Sequence, residues 1–375
     1  MKQYEDGDAV EELASQCIDC GLCADHCMLL KEIDESPASI ALRGAELEEA
    51  FACSLCRLCE EVCPLNLSPA RMFAEKRFSA VAESEIDINE YRYLFPDRHV
   101  NVMSFFRQYY GIDYSDLNLS SPSNTAFFPG CTMMTYSPEL SREVYTAISK
   151  IYPNPVFLSS CCGKPLYQLG LPNRGNKNRK ELIELLQRLE VKRLIVACPN
   201  CYYELKQALV GIDIDILTIY EVLLDNIPLG QHMGSCTIHD SCPDRFEGIF
   251  GAQVRQALER MGYQLVEMKH SQEETICCGS GGQISHFRPD LAEELVKLRL
   301  EEAEQTGANI LAGYCHSCVL NFATVPSGVK VRHALNLILG LQEDYSGIRD
   351  KAAAMLAGPD AEDNWLAIMA EAGED

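Results

Sequence analysis

The chain has 375 residues, 47% of them apolar, which is enough to bury two or three packed domains and too much for a disordered segment. Its formal charge of -23, from 55 acidic and 32 basic residues, excludes a large interface with nucleic acid or an anionic bilayer and favours partners with a basic face. The opening MKQYEDGDAVEELASQC has neither a basic leader nor an export-length apolar stretch, and no run elsewhere reaches the roughly 18–20 apolar residues of a membrane span. The expectation is a cytoplasmic chain without a transmembrane segment, any membrane association being peripheral and through a partner. Nineteen cysteines in such a chain read as metal ligands and not as a disulfide scaffold, because cytosolic poise keeps thiols reduced.

The first predicted module covers residues 1–80. CIDCGLCADHC spaces Cys17, Cys20, Cys23 and Cys27 by two, two and three residues, and CSLCRLCEEVCP repeats that spacing at Cys53, Cys56, Cys59 and Cys63. Three thiolates two residues apart can curl around one small cluster, while the fourth reaches across to the other. The pattern predicts a helical two-cluster ferredoxin module with two cubane 4Fe-4S clusters. One would be held by Cys17, Cys20, Cys23 and Cys63, the other by Cys53, Cys56, Cys59 and Cys27. Paired zinc sites also use CxxC spacing, but give no reason for the whole period to occur twice. Pro64 follows the last ligand as in the bacterial pattern, whereas Met28 stands after Cys27 where proline is usual. Ser36 and Pro37 should open a short linking helix with Ile40, Leu42 and Leu47 available to pack. In the helix after Cys63, Met72, Phe73 and Phe78 are expected against the clusters, and Lys76 and Arg77 on the surface.

Residues 81–123, with Tyr91, Tyr93, Leu94 and Phe95, read as a partly helical connector that breaks at 121–124. From Cys131 the chain repeats itself. Cys131, Cys161, Cys162, Cys198 and Cys201 recur as Cys242, Cys277, Cys278, Cys315 and Cys318, at offsets of 111, 116, 116, 117 and 117 residues. This implies two copies of one unit, at 124–230 and 231–345. The apolar runs TAFF, RLIVA, CTIHD and NILAG lead into cysteines as buried strands would. They alternate with amphipathic segments such as REVYTAISKIY, RKELIELLQRLE, FEGIFGAQVRQALERMG and PDLAEELVKLRLEEAEQTG. The pattern predicts α/β repeats with parallel sheets, in which loops beyond the strand ends gather distant thiols at one site. The whole chain is thus α+β and α/β, a helical ferredoxin module followed by two repeated α/β domains. Residues 346–375 form an acidic, alanine-rich tail in which Trp365, Ile368 and Met369 could share one side of a short helix, with a poorly ordered tail as the alternative.

The motifs FPGC, CCGK and CPNC in the first copy, and HDSC, CCGSGG and CHSC in the second, resemble the cysteine-rich CCG family of iron–sulfur oxidoreductases. That family includes heterodisulfide reductase catalytic subunits and the iron–sulfur subunits of glycolate oxidase and anaerobic glycerol-3-phosphate dehydrogenase. The resemblance spans residues 15–340. It implies a further 4Fe-4S cluster, noncubane, in each CCG domain: one on Cys131, Cys161, Cys162, Cys198 and Cys201, the other on Cys242, Cys277, Cys278, Cys315 and Cys318. Adjacent cysteines are awkward at one corner of a regular cubane and easier in an opened cluster. Structural zinc or a vicinal redox thiol pair is the alternative, but eight plus ten ligands account for 18 of 19 thiols, leaving Cys236 as a buried or incidental residue.

Gly163, Gly279, Gly281 and Gly282 are expected to let backbone approach a cluster, and the GSGG run lacks the strand–loop–helix setting of a nucleotide fingerprint. His239 and His316 lie within motifs and are candidates, beside the Cys242 set, for proton supply or hydrogen bonding to a thiolate, against satisfied structural histidines as the alternative. His286 is a weaker candidate. No hydride-handling motif is present, so organic two-electron chemistry needs a flavoprotein partner or direct chemistry at a CCG cluster. The expected function is therefore the electron-transfer subunit of a hetero-oligomeric oxidoreductase, between a flavoprotein or other redox subunit and a quinone, disulfide or protein acceptor. The alternative is a catalytic heterodisulfide-reductase-like subunit in which the Cys242 set cleaves a disulfide.

Overall fold

A computed structural model describes residues 9–370. Residues 1–8 of the expected N-terminal module and 371–375 of the expected tail lie outside the described residues.

The N-terminal segment is a set of short helices threaded by the cysteine runs. Ser36 caps the helix Pro37–Arg43 by accepting from the Ser39 amide at 3.2 Å, and Pro37 supplies a preset first turn. Ser68 and Pro69 repeat that device at the head of Pro69–Ala82. Ile40 is buried, but Leu42, expected to pack, is 75% exposed because it falls on the outer face of its short helix. Met72 and Phe73 are buried in the same apolar cluster as Cys59.

Arg77 corrects the sequence expectation more strongly. It is no surface charge but fully buried, donating to the carbonyls of Ala50 (2.8 Å), Cys53 (2.5 Å), Gln168 (2.5 Å) and Gly282 (2.8 Å). A guanidinium has five donors in a fixed fork, so it can satisfy carbonyls from three separate stretches of chain at once. The connector contributes a 3-10 segment Ile88–Leu94 and a helix Val102–Tyr109 capped by Asn101.

Two four-stranded parallel sheets follow. The first contains β1 (Thr125–Phe128), β2 (Val156–Phe157), β3 (Arg193–Val196) and β4 (Asp215–Thr218), in the order β2-β1-β3-β4. The second contains β5 (Gly234–His239), β6 (Tyr263–Leu265), β7 (Ile310–Gly313) and β8 (Lys330–His333), in the matching order β6-β5-β7-β8. Register also corresponds: Phe128 pairs with Val196 as His239 pairs with Gly313, and Val196 with Thr218 as Gly313 with His333. The expected runs form the two inner strands of each sheet, buried on both faces as parallel strands are. The outer strands carry no comparable apolar run.

The repeats pack reciprocally. Helix Pro138–Ile151 of the first meets Ala334–Leu339 of the second, while Ile249–Arg260 of the second meets Ile219–Leu223 of the first. Such exchange is what a local twofold produces. One apolar core runs through both, joining Phe127, Ile195 and Tyr220 to Phe250, Val254 and Tyr314. After residue 345, helices Ile348–Ala354 and Ala361–Met369 fold back onto the connector; Ile368 is buried while Trp365 stays partly exposed beside Tyr93. Among the described residues no helix is long and apolar enough to cross a membrane.

Candidate metal centres

The two N-terminal cysteine runs adopt the same backbone. Asp19 and Leu55, each preceding the second cysteine of its run, have φ of 52° and 53°, and Gly21 and Arg57, each following it, have φ of 78° and 62°. Successive turns of alternating hand aim amides inward, as in anion-binding nests. The Leu55 amide already donates to Cys53 Sγ at 3.4 Å. Cys17, Cys20, Cys23 and Cys63 line one cavity of about 370 Å³, whose wall Cys59 also reaches. Cys27 lies with the other run: burial, then the Cys56 charge, pushes its thiol up to about 12. Burial raises Cys53 to about 12 against the pull of Arg77, and Cys59 well above its ordinary value, with Cys27 next among the causes.

In both repeats the thiols stand beyond the carboxyl ends of the strands. Cys131 opens the helix Cys131–Tyr136 after β1, and Cys242 opens a 3-10 turn after β5. Cys161 and Cys162 follow β2; Cys277 and Cys278 follow β6. The amide of Gly163 points at Cys161 Sγ (3.5 Å) and that of Gly279 at Cys277 Sγ (3.4 Å). Cys198 and Cys315 are the N-caps of the helices after β3 and β7, placing Cys201 and Cys318 in the first turns. Gly130 must lack a side chain, since a Cβ there would lie 2.9 Å from the Cβ of Cys198.

The two sets come close. Cys198 of the first pairs with Cys315 of the second, and Asn200 Nδ2 approaches Cys315 Sγ at 3.7 Å. Cys56 from the N-terminal segment pairs with Cys277, which also pairs with Cys242. This junction is built by residues that sequence reasoning missed. The buried Arg245 donates to the Cys56 carbonyl at 3.3 Å and the Thr275 carbonyl at 2.6 Å, and Arg57 lies over the Phe246 ring at 4.2 Å. Gly281 and Gly282 pack on the Ser54 and Cys53 backbone, so their close approach serves the N-terminal segment. The only local signal was an arginine three residues after Cys242. A cavity of about 940 Å³ is bordered by thiols of both repeats, with exposed Asp290, Glu293 and Arg349 at its rim.

This donor set fits iron–sulfur clusters. The described cysteines are free thiols, all but Cys236 gathered in groups, with Sγ of Cys278 and Cys318 only 2.9 Å apart. Hydrogen bonds from Cys161 and Cys201 hold Cys162 well below its ordinary value, while Cys161 and Cys201 are pushed well above theirs by pairing with their neighbours and by burial. Crowded buried thiols cannot all ionise alone, and a positively charged iron centre is what lets them all serve as thiolate ligands. Lys164 adds positive charge beside Cys162 and pairs with Glu204 at 3.6 Å.

The histidines separate. His316 Nε2 bonds to Ser137 Oγ at 2.8 Å, and its ring packs on His333 and Tyr345, linking the repeats. His286 Nδ1 bonds to the Tyr93 hydroxyl at 3.0 Å. His239 is buried at the end of β5; burial drives its imidazole down to about 3, so it is neutral at neutral pH. A ring nitrogen of His239 and Sγ of Cys278 and Cys318 lie within 4.8 Å of one another. Cys236 is buried inside β5, away from the thiol groups, with burial raising it to about 12.

Comparison with known proteins agrees with this geometry. The cysteine-rich CCG domain matches residues 125–206 and 236–323, and a 4Fe-4S dicluster domain matches residues 13–67. The chain is 25% identical over 335 residues to one subunit of the dihydromethanophenazine:CoB--CoM heterodisulfide reductase of Methanosarcina barkeri, covering 81% of this chain and 80% of that protein. It is 24% identical over 341 residues to one subunit of the fumarate reductase (CoM/CoB) of Methanothermobacter marburgensis, covering 81% and 66%. It is 24% identical over 318 residues to the probable iron-sulfur-binding oxidoreductase FadF of Bacillus subtilis, covering 76% and 44%. The chain therefore carries two cysteine-rich CCG domains behind a 4Fe-4S dicluster domain, the make-up of an iron–sulfur oxidoreductase subunit, with 4Fe-4S clusters as its cofactors.

Proposed function

We propose that the chain is the electron-relaying subunit of a multi-subunit oxidoreductase and that its four cysteine sets form one line. Cubane clusters would sit on Cys17, Cys20, Cys23 and Cys63, then on Cys27, Cys53, Cys56 and Cys59. Noncubane clusters would sit on the five cysteines of the second repeat and then the five of the first. The domain partition at residues 80, 123, 230 and 345 belongs to this reading. Bound clusters supply one-electron transfer. What the chain supplies is their order, and the observation that carries it is the pair of junctions Cys56–Cys277 and Cys198–Cys315. Arg77 and Arg245 hold the first junction by its backbone carbonyls. At the far end of the line Cys20 is exposed among Ile18, Leu22 and Leu65, which suits docking of a flavoprotein or other redox subunit. The acidic chain favours a basic partner face, and peripheral membrane contact would come through such a partner.

Anaerobic purification with iron quantification and a reductive titration followed by low-temperature paramagnetic spectra tests the reading. About sixteen irons are expected, with a signal distinct from those of the dicluster domain. About eight would confine metal to the N-terminal segment and overturn it.

The cavity between the repeats favours a second reading, disulfide reduction. It borders thiols of both CCG sets and opens at a charged rim, where a bulky disulfide could lie, and its size is that of a substrate pocket. The similarity to a heterodisulfide reductase of Methanosarcina barkeri points the same way. In this reading the protein walls orient the disulfide and exclude water, and Asn200 and Ser317, both lining the cavity, offer hydrogen bonds to it. Anaerobic turnover of a disulfide with a reduced viologen dye would be expected; its absence in protein holding about sixteen irons leaves relay alone.

A further inference from the structure

The two repeats match strand for strand, but the residue ending their first strands differs. β1 ends in Phe128 and β5 in His239, both buried and both three residues before the first CCG cysteine. Phe128 completes an apolar core. His239 puts a polar ring into the same place. Its ring meets Phe322 edge-on at 4.8 Å, and Nδ1 has no hydrogen-bond partner. An unpaired nitrogen in a protein interior is destabilising, so a group that satisfies it is expected nearby. A ring nitrogen of His239 lies within 4.8 Å of the thiols of Cys278 and Cys318, and among the described residues no other histidine shares such a grouping. His316 also has an unpaired Nδ1, but its Nε2 bonds to Ser137 and its ring stands in no such thiol grouping.

We propose that His239 is a nitrogen donor to the centre of the second repeat, at the edge held by Cys278 and Cys318, and that the first centre has no counterpart. This rests on the four-centre reading above. The imidazole meets the cluster there by ligation or by N–H to sulfur, and either contact raises the second centre's potential relative to an apolar neighbour, as histidine ligation and hydrogen bonds to sulfur do in other iron–sulfur sites. The two CCG centres are then electronically unlike, and the difference is set by a residue that is not one of the five cysteines.

The test is full-length protein grown with 15N-histidine, loaded with iron and examined by pulsed paramagnetic resonance and potentiometric titration. The unmodified protein is expected to show a histidine nitrogen coupling on a CCG signal. H239F, which installs the first repeat's own residue, should lose that coupling and shift the second centre to lower potential, with the dicluster signals unchanged. A variant H316N should keep the coupling. Loss of about four irons in H239F also supports the proposal, because it identifies a ligand. Absence of any histidine coupling in unmodified protein holding about sixteen irons overturns it while sparing the four-centre reading. A coupling and potential unchanged in H239F overturn it as well. An iron content near eight instead removes the reading on which it stands.

Discussion

The first repeat contains no histidine, whereas the second contains six, three of which match residues of the first by strand register or cysteine spacing: Phe128 becomes His239, Pro199 becomes His316 and Thr218 becomes His333. Strand order, register, cysteine positions and even the amide aimed at the first thiol of each CCG are shared. Duplication therefore kept what holds a cluster and changed what surrounds it. The second repeat also receives the cysteine runs of the N-terminal segment, through Arg245 and the glycines at 281 and 282, whereas the first touches that segment at Gln168, through Arg77. In the proposed line of centres, shared geometry sets where the thiols gather, and the residues around them distinguish a middle position from an end position.

The two repeats should part most sharply at the thiols. C278S should slow transfer from the dicluster domain to the first repeat by about 100-fold or more, because its centre lies on the route. C162S should leave reduction of the second repeat's centre nearly unchanged. Freeze-quenched spectra after mixing with dithionite would separate the two; equal effects would remove the proposed order. R77M should destabilise the protein by about 3–5 kcal/mol, since carbonyls from the N-terminal segment and both repeats lose a buried donor. Denaturant unfolding, with proteolysis near residue 85, would check this.

Acid should tell the repeats apart more gently. Thr218 Oγ1 caps the helix after β4 by accepting from the Glu221 amide at 3.0 Å, and His333 Nδ1 does so after β8 for the Leu335 amide at 3.2 Å. Burial holds His333 at about 4, below the roughly 6.5 of an exposed histidine. Its neutral form is therefore the one that stabilises the fold. That contribution is complete above pH ~6.5 and is lost as pH falls towards 4, amounting to about 3 kcal/mol. Hydrogen exchange at Leu335 should accelerate over this window while that at Glu221 does not, and H333T should abolish the difference. The smallest effect expected is from N200A. Removing the weak donor to Cys315 should lower the second centre's potential by the equivalent of about 1 kcal/mol or less, measured by potentiometry.

Much of this was legible in the sequence because cluster chemistry demands fixed spacing and inner parallel strands demand continuous apolar runs. TAFF and NILAG announced β1 and β7 by both signals. The outer strands escaped: β2 has two residues, and β4 and β8 begin with exposed Asp215 and Lys330 at sheet edges, where one side is wet and no apolar run is required. The junctions were illegible for a different reason. Arg77 meets Gly282 across 205 positions of chain, and nothing near either residue records the other. Composition likewise offered eight histidines without saying that one of them would stand beside two thiols.

The contact made by Gly281 and Gly282 has a kinetic meaning. A Cβ at Gly282 would fall 2.4 Å from the Cys53 carbonyl oxygen, and one at Gly281 would fall 2.6 Å from that of Ser54, so any side chain here must push the two bodies apart. Tunnelling probability decays exponentially with separation. In the proposed relay, two missing methyl groups thus act as a throttle left fully open, setting how fast charge hops from one half of the molecule into the other.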